Sequence, residues 1–219
     1  PTATAPTIPA RAHLDKFSSK ADPVRSRLIF AMDATASREP TWDSASKLTS
    51  EMFQAVAGIG TLDMQLVYYR GPGECVSSRW FSDARSLTTA MTGVLCRSGE
   101  TQIERVLTHA RKENRRQKVD AMVLISDACE EDPSALYGVA RELTVPVFMF
   151  QEGKNEQVAE IYSRIASITK GAYCKFDKSS AARLADLLKA VAAFATGGVK
   201  ALANQNSEAA RWLLTQIKK

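Results

Sequence analysis

Unbroken apolar runs alternate along this chain with segments in which apolar residues recur every three or four positions. Leu28-Ile29-Phe30-Ala31-Met32 and Ala121-Met122-Val123-Leu124-Ile125 are continuous apolar runs, the pattern of central parallel strands covered on both faces. Further strands are predicted over 62–69, 75–80, 145–150 and 172–176, with the first over 27–33 and the fourth over 121–127. Helical stripes lie between them: Trp42, Ala45, Leu48, Met52, Phe53 and Val56 behind Pro40, then Ile103, Val106, Leu107 and Ala110. Leu136, Val139, Ala140 and Leu143 form a third stripe, and Val158, Ile161, Ile165 and Ile168 a fourth. Leu184, Leu187, Leu188, Val191 and Phe194 form a fifth. A further helix is predicted over 83–95. Arg70-Gly71-Pro72-Gly73-Glu74 is a turn signal that folds 75–80 back as an antiparallel edge strand. Alternating strands and helices predict an α/β fold: a Rossmann-like doubly wound sheet, mostly parallel with one antiparallel edge strand, and helices on both faces.

Two of the apolar runs end at an aspartate, Asp33 and Asp127. Right-handed crossovers bring the ends of the first and fourth strands to one edge of the sheet, so the two carboxylates approach each other. In open α/β sheets that edge is where ligands bind. Asp33-Ala34-Thr35-Ala36-Ser37 sets two hydroxyls at every second position after the carboxylate. Oxygen-only groups bunched in a loop suit a hard divalent cation, Mg²⁺ above all.

Asp33-x-Thr35-x-Ser37, then Thr101 opening a helix, then Asp127 after a later apolar strand resembles the metal-ion-dependent adhesion site (MIDAS) of von Willebrand factor type A (VWA) domains. The family pattern is D-x-S-x-S, then Thr, then Asp. The likeness runs from about residue 27 to 194, roughly three quarters of the chain. It implies that Thr35, Ser37 and Thr101 ligate Mg²⁺, with Mn²⁺ and Ca²⁺ as the other candidate ions. Asp33 and Asp127 then orient those ligands directly or through water, and Asp33 binds the ion directly in some states. It also implies a partner protein whose carboxylate completes the coordination. Thr35 stands where Ser is commonest. Glu100 precedes Thr101 where a small residue is common, and Glu130, Glu131 and Asp132 follow Asp127. These extra acids are expected either to tighten the ion or to repel an acidic partner. Thr101 with Glu104 also reads as a T-x-x-E capping box, a role compatible with ligation because a hydroxyl oxygen has two lone pairs.

The 219 residues divide into an N-terminal arm (1–24) broken by Pro1, Pro6, Pro9 and Pro23, a VWA-like domain (25–196) and a C-terminal helical extension (197–219) behind Gly197-Gly198. The composition, 45% hydrophobic and 24% charged, is that of a soluble globule. No apolar run reaches the roughly 18 residues that span a bilayer, and no secretory signal is visible. Cys75, Cys96, Cys129 and Cys174 form no CxxC pair and have no His cluster beside them. That argues against zinc and for reduced thiols, hence a cytoplasmic home, and the compact, signal-free architecture suggests a bacterial-style adaptor. A net charge of +5 is too small to argue for nucleic acid. The basic cluster Arg111, Lys112, Arg115, Arg116 and Lys118 falls at the opposite end of the sheet, as a solvated helix end. A Mg²⁺-dependent enzyme acting on phosphate esters and a purely structural metal site are the rival readings. Thr35 stands where haloacid-dehalogenase phosphatases carry their second aspartate, and no P-loop, G-x-G-x-x-G or G-x-S-x-G is present. The expectation is a non-enzymatic, Mg²⁺-dependent protein-interaction module.

Overall fold

Strands β1 (Ser26–Asp33), β2 (Leu62–Arg70), β3 (Glu74–Phe81), β4 (Ala121–Ser126), β5 (Val147–Glu152) and β6 (Ala172–Phe176) form one sheet in the order β3-β2-β1-β4-β5-β6. All pairings are parallel except β2–β3. The computed structural model describes residues 25–38, 62–176 and 181–217. The expected arm over 1–24 and the helix expected behind Pro40 lie outside these residues.

The apolar runs sit at the centre of the sheet because both of their faces are covered. Leu28, Phe30 and Met32 pack with Leu87, Met91, Leu184, Leu188 and Val191. Ile29 and Ala31 pack with Val106, Leu107, Leu136, Tyr162 and Ile165. Alternate residues of one strand thus feed two separate cores, as the period of two requires. Burying one such side chain contributes about 1.5–3 kcal/mol, so a charge at Phe30 or Leu124 would break a layer of the sheet.

The helices are α1 (Ala84–Thr92), α2 (Ile103–Arg116), α3 (Pro133–Glu142), α4 (Glu156–Ile168), α5 (Ala181–Ala203) and α6 (Glu208–Ile217). Asp83, Asp132 and Asn155 cap α1, α3 and α4, each side chain accepting backbone N–H groups of the first turn. α1 is shorter than expected because Gly93 takes its C-cap. β5 begins at Val147 rather than 145, since Pro146 has no N–H to give to a ladder and only its carbonyl serves, accepting from Met122 N at 2.9 Å. The hairpin turn uses Gly71 and Gly73 at φ +55° and +75°, where side chains are disfavoured. At Gly197-Gly198, α5 kinks, with Gly198 at φ +61°. Leu202 is buried before the turn into α6, so the helical piece expected after the glycines is in fact two.

Candidate metal centre

β1 lies between β2 and β4, so the chain leaves it to opposite sides and the sheet changes direction beside its carboxyl end. Asp33 closes β1 and is 1% exposed. Its Oδ1 accepts Thr35 N–H at 2.7 Å, and its Oδ2 accepts the hydroxyls of Ser126 at 2.8 Å and Tyr69 at 3.1 Å. Burial pushes the Asp33 carboxyl above its ordinary range, against the pull of the Thr35 and Ser126 hydrogen bonds. Thr35 Oγ1 and Ser37 Oγ lie 3.1 Å apart. Arg38 N–H donates to Thr35 O at 3.0 Å and closes a single 3-10 turn over Ala36–Arg38. Thr35 is buried and Ser37 exposed.

A second loop comes in from α1. Arg97 N–H donates to Ala34 O at 3.0 Å. A Cβ on Gly99 would lie 2.4 Å from Gly71 O, so only glycine lets this loop rest on the hairpin. The loop delivers Thr101, whose N–H donates to Glu130 Oε2 at 3.0 Å and whose Oγ1 accepts Glu130 N–H at 3.1 Å. Thr101 is thereby tied to the segment three residues past Asp127. Asp127 follows β4 directly, and the register Met32↔Ile125 sets it beside the end of β1. Hydrogen bonds and strand pairing therefore link the segments of Asp33, Thr35, Ser37, Thr101 and Asp127 at one edge.

One expectation needs revision. No Thr101–Glu104 capping box forms. Gln102 holds the N-cap position of α2 without a side-chain cap bond, and Glu131 caps the helix from the other loop through Ile103 N at 2.6 Å and Glu104 N at 2.9 Å. Both Glu131 oxygens therefore accept backbone N–H groups of α2, helped by the positive helix terminus. Glu130 likewise serves the Thr101 backbone. His109 Nε2 contacts Gln65 Oε1 at 2.8 Å. All four cysteines are free.

Pattern reading missed several participants. Tyr69, Ser126 and Arg38 are each 1% exposed or less, and Tyr162 O–H donates to Ala128 O at 2.6 Å. Ser126 sat in view within Ile-Ser-Asp. Tyr69 has its signal in the inward phase of β2, shared with Val67. Arg38 pairs with Glu152 at the end of β5, and nothing in its local sequence announces that it is buried.

Asp127 Oδ1 is buried and has no hydrogen-bond partner, an arrangement that native structures avoid unless a cation or water fills it. Adjacent ligands of an octahedral Mg²⁺ at about 2.0–2.1 Å stand about 3 Å apart, close to the 3.1 Å between Thr35 Oγ1 and Ser37 Oγ. Among the described residues no three His, Cys, Asp or Glu converge, so hydroxyls have to take part in any ligand set. The residues fit a hard divalent ion.

No protein-family model matches the chain, and no curated protein matches it in sequence. Solved structures do match its fold. The pilus adhesin SpaC of Lactobacillus rhamnosus GG matches over 78% of this chain at 12% identity and TM-score 0.64. A von Willebrand factor type A protein of Catenulispora acidiphila matches over 79% at 15% identity and TM-score 0.61. The vWF domain of the pili tip protein Mfa5 of Porphyromonas gingivalis matches over 84% at 11% identity and TM-score 0.60. The matches cover 97% of that Mfa5 domain but only 30% of SpaC and 43% of the Catenulispora protein. Six strands in this order, one antiparallel edge and helices on both faces give this chain the von Willebrand factor type A fold.

Proposed function

We propose that this protein is a divalent-cation-dependent protein-interaction module. Thr35, Ser37 and Thr101 would hold Mg²⁺, with Asp33 and Asp127 behind them, and a carboxylate of a partner protein would complete the set. The bound cation would supply a Lewis-acidic position for an anionic oxygen. Hydroxyl ligands are neutral, which leaves much of the +2 charge to attract that anion. The observation that carries this reading is the partnerless Asp127 Oδ1 beside the paired hydroxyls of Thr35 and Ser37. Asp33 fixes the start of the loop, since its Oδ1 accepts Thr35 N–H. Pilus adhesin and pilus tip proteins among the fold neighbours accord with an interaction role. No helix among the described residues is long and apolar enough to cross a membrane. The further expectations, a cytoplasmic site of action and no enzymatic turnover, belong to the same proposal.

Calorimetric titration with Mn²⁺ and Mg²⁺, followed by capture of partners in Mg²⁺ or chelator, tests it. Asp33→Ala should lose metal binding and metal-dependent capture while keeping its circular dichroism. Capture undiminished in excess EDTA would refute the metal-dependent reading.

A further inference from the structure

Arg38 is 1% exposed, a degree of burial that a guanidinium accepts only with compensating charge. Its ion-pair partner, Glu152, ends β5. Arg38 itself belongs to the turn after β1. The sheet order puts β4 between them, and strands lie about 4.8 Å apart, so the side chain reaches across the carboxyl end of β4. Asp127 starts at that end. Register places Ser126 opposite Gln151, which sets Asp127 and Glu152 side by side at that edge. Burial lowers the pKa of Arg38, and the charges that oppose the shift most strongly are Asp127 and then Asp33. Arginine nevertheless stays protonated in proteins. The site thus holds a fixed unit of positive charge among its own acids.

We propose that Arg38 is a built-in counter-cation of the site: it neutralises part of the Asp33–Asp127 field and sets the affinity for a divalent ion low. The idea rests on the metal-dependent reading above but concerns the strength of binding, not its existence. A charge this close and this buried acts through a low effective dielectric, so its removal should be felt strongly. Arg38 also makes the turn rigid, because its N–H closes onto Thr35 O while its side chain is pinned to Glu152. Partial neutralisation in this way would restrict occupancy to conditions in which a partner carboxylate adds to the ligand set.

Mn²⁺ titration of the full chain by calorimetry separates the alternatives. Arg38→Met in a Glu152→Gln background removes only the positive charge and should bind Mn²⁺ about tenfold or more tightly than Glu152→Gln alone, which keeps the arginine. Arg38→Lys, which keeps the charge, should stay within about threefold of wild type. Binding by the double variant equal to or weaker than that of Glu152→Gln, at an equal melting temperature in EDTA, would overturn the proposal. If the double variant does not fold, wild type carries the test: the Arg38 Nε–Hε resonance, assigned with Arg38→Lys, should shift on Mg²⁺ addition with the same Kd as calorimetry. A resonance indifferent to saturating Mg²⁺ would overturn it. Wild type that binds no Mn²⁺ beside a double variant that does would refute the metal-dependent reading and support the counter-cation. If neither protein binds Mn²⁺, both are overturned.

Discussion

Two arginines buried to nearly the same degree, one inside β1 near its start and one in the turn after its end, sit in very different surroundings. Arg27, 5% exposed, stacks 3.6 Å from the Trp80 ring centroid and donates to Gln117 O at 3.0 Å and to Glu113 Oε2 at 3.3 Å. Glu113 also accepts from Trp80 Nε1 at 3.0 Å and from Arg116 at 2.9 Å. Asp120 accepts Arg27 N–H at 2.9 Å and pairs with Lys118 at 2.6 Å. At the other edge Arg38 pairs with Glu152, yet Asp127 Oδ1 beside that pair has no partner. Burial alone does not separate a structural charge from a functional one. The separation lies in whether the surrounding polar atoms are already satisfied. By that measure the Arg27–Glu113 cluster at the amino end of the sheet is a closed clasp, while the carboxyl end keeps an unsatisfied carboxylate oxygen on Asp127. Part of the basic cluster belongs to the clasp, Arg116 pairing with Glu113 and Lys118 with Asp120, while Arg111 pairs separately with Glu142.

The contrast can be broken most directly at the clasp. Glu113→Ala leaves Arg27 buried without its carboxylate and should cost about 3 kcal/mol of stability, read by urea denaturation. A loss under about 1 kcal/mol would mean that the clasp is no tighter than a surface pair. The same residue predicts a pH dependence. Burial by itself would raise the Glu113 pKa, but the Trp80 hydrogen bond and the positive charges of His109, Arg116 and Arg27 outweigh it and leave the pKa below its ordinary 4.5. A depressed carboxyl contributes stability above its unfolded pKa and loses it as pH falls through the folded one. Melting temperature should therefore fall below about pH 4.5, and Glu113→Gln should flatten that acid limb.

At the carboxyl end the effects should appear in binding rather than stability. Gly99→Ala forces the Thr101 loop off Gly71, and Mn²⁺ affinity should drop about tenfold, near 1.4 kcal/mol. Unchanged affinity would remove Thr101 from the ligand set. The smallest effect belongs to Asp127→Asn: in chelator the lost attraction to Arg38 is offset by relief of the repulsion with Asp33, and Oδ1 has no hydrogen bond to lose, so stability should change by less than about 1 kcal/mol. A loss as large as that of Glu113→Ala would show that both ends are closed in the same sense.

Much of this architecture is legible along the chain. The apolar run of 28–32 can only be a strand covered twice, and the Gly-Pro-Gly turn can only send the chain back along the sheet edge. The five residues of the proposed site, three hydroxyls and the two aspartates behind them, can be read in the sequence by type and order. What local pattern could not supply was their wiring. Thr101 and Glu104 have the spacing of a capping box, yet Glu131, 28 residues beyond Ile103, does the capping. A carboxylate with both oxygens free to reach two N–H groups outcompetes a hydroxyl that Glu130 N–H already holds.

Alternation of apolar and polar positions decided the fold class, because each side chain's face follows from a local period of two or 3.6 residues and needs no knowledge of distant neighbours. The same holds for the placement of Asp33 and Asp127 at strand ends. Tertiary structure alone decided which polar atoms are satisfied: that Tyr69 and Ser126 support Asp33, that Arg38 crosses β4 to Glu152, and that Asp127 Oδ1 is left without a partner. Hydrogen bonding and charge compensation depend on atoms a few ångströms apart in space that can be nearly a hundred residues apart in the chain, as Asp33 and Ser126 are.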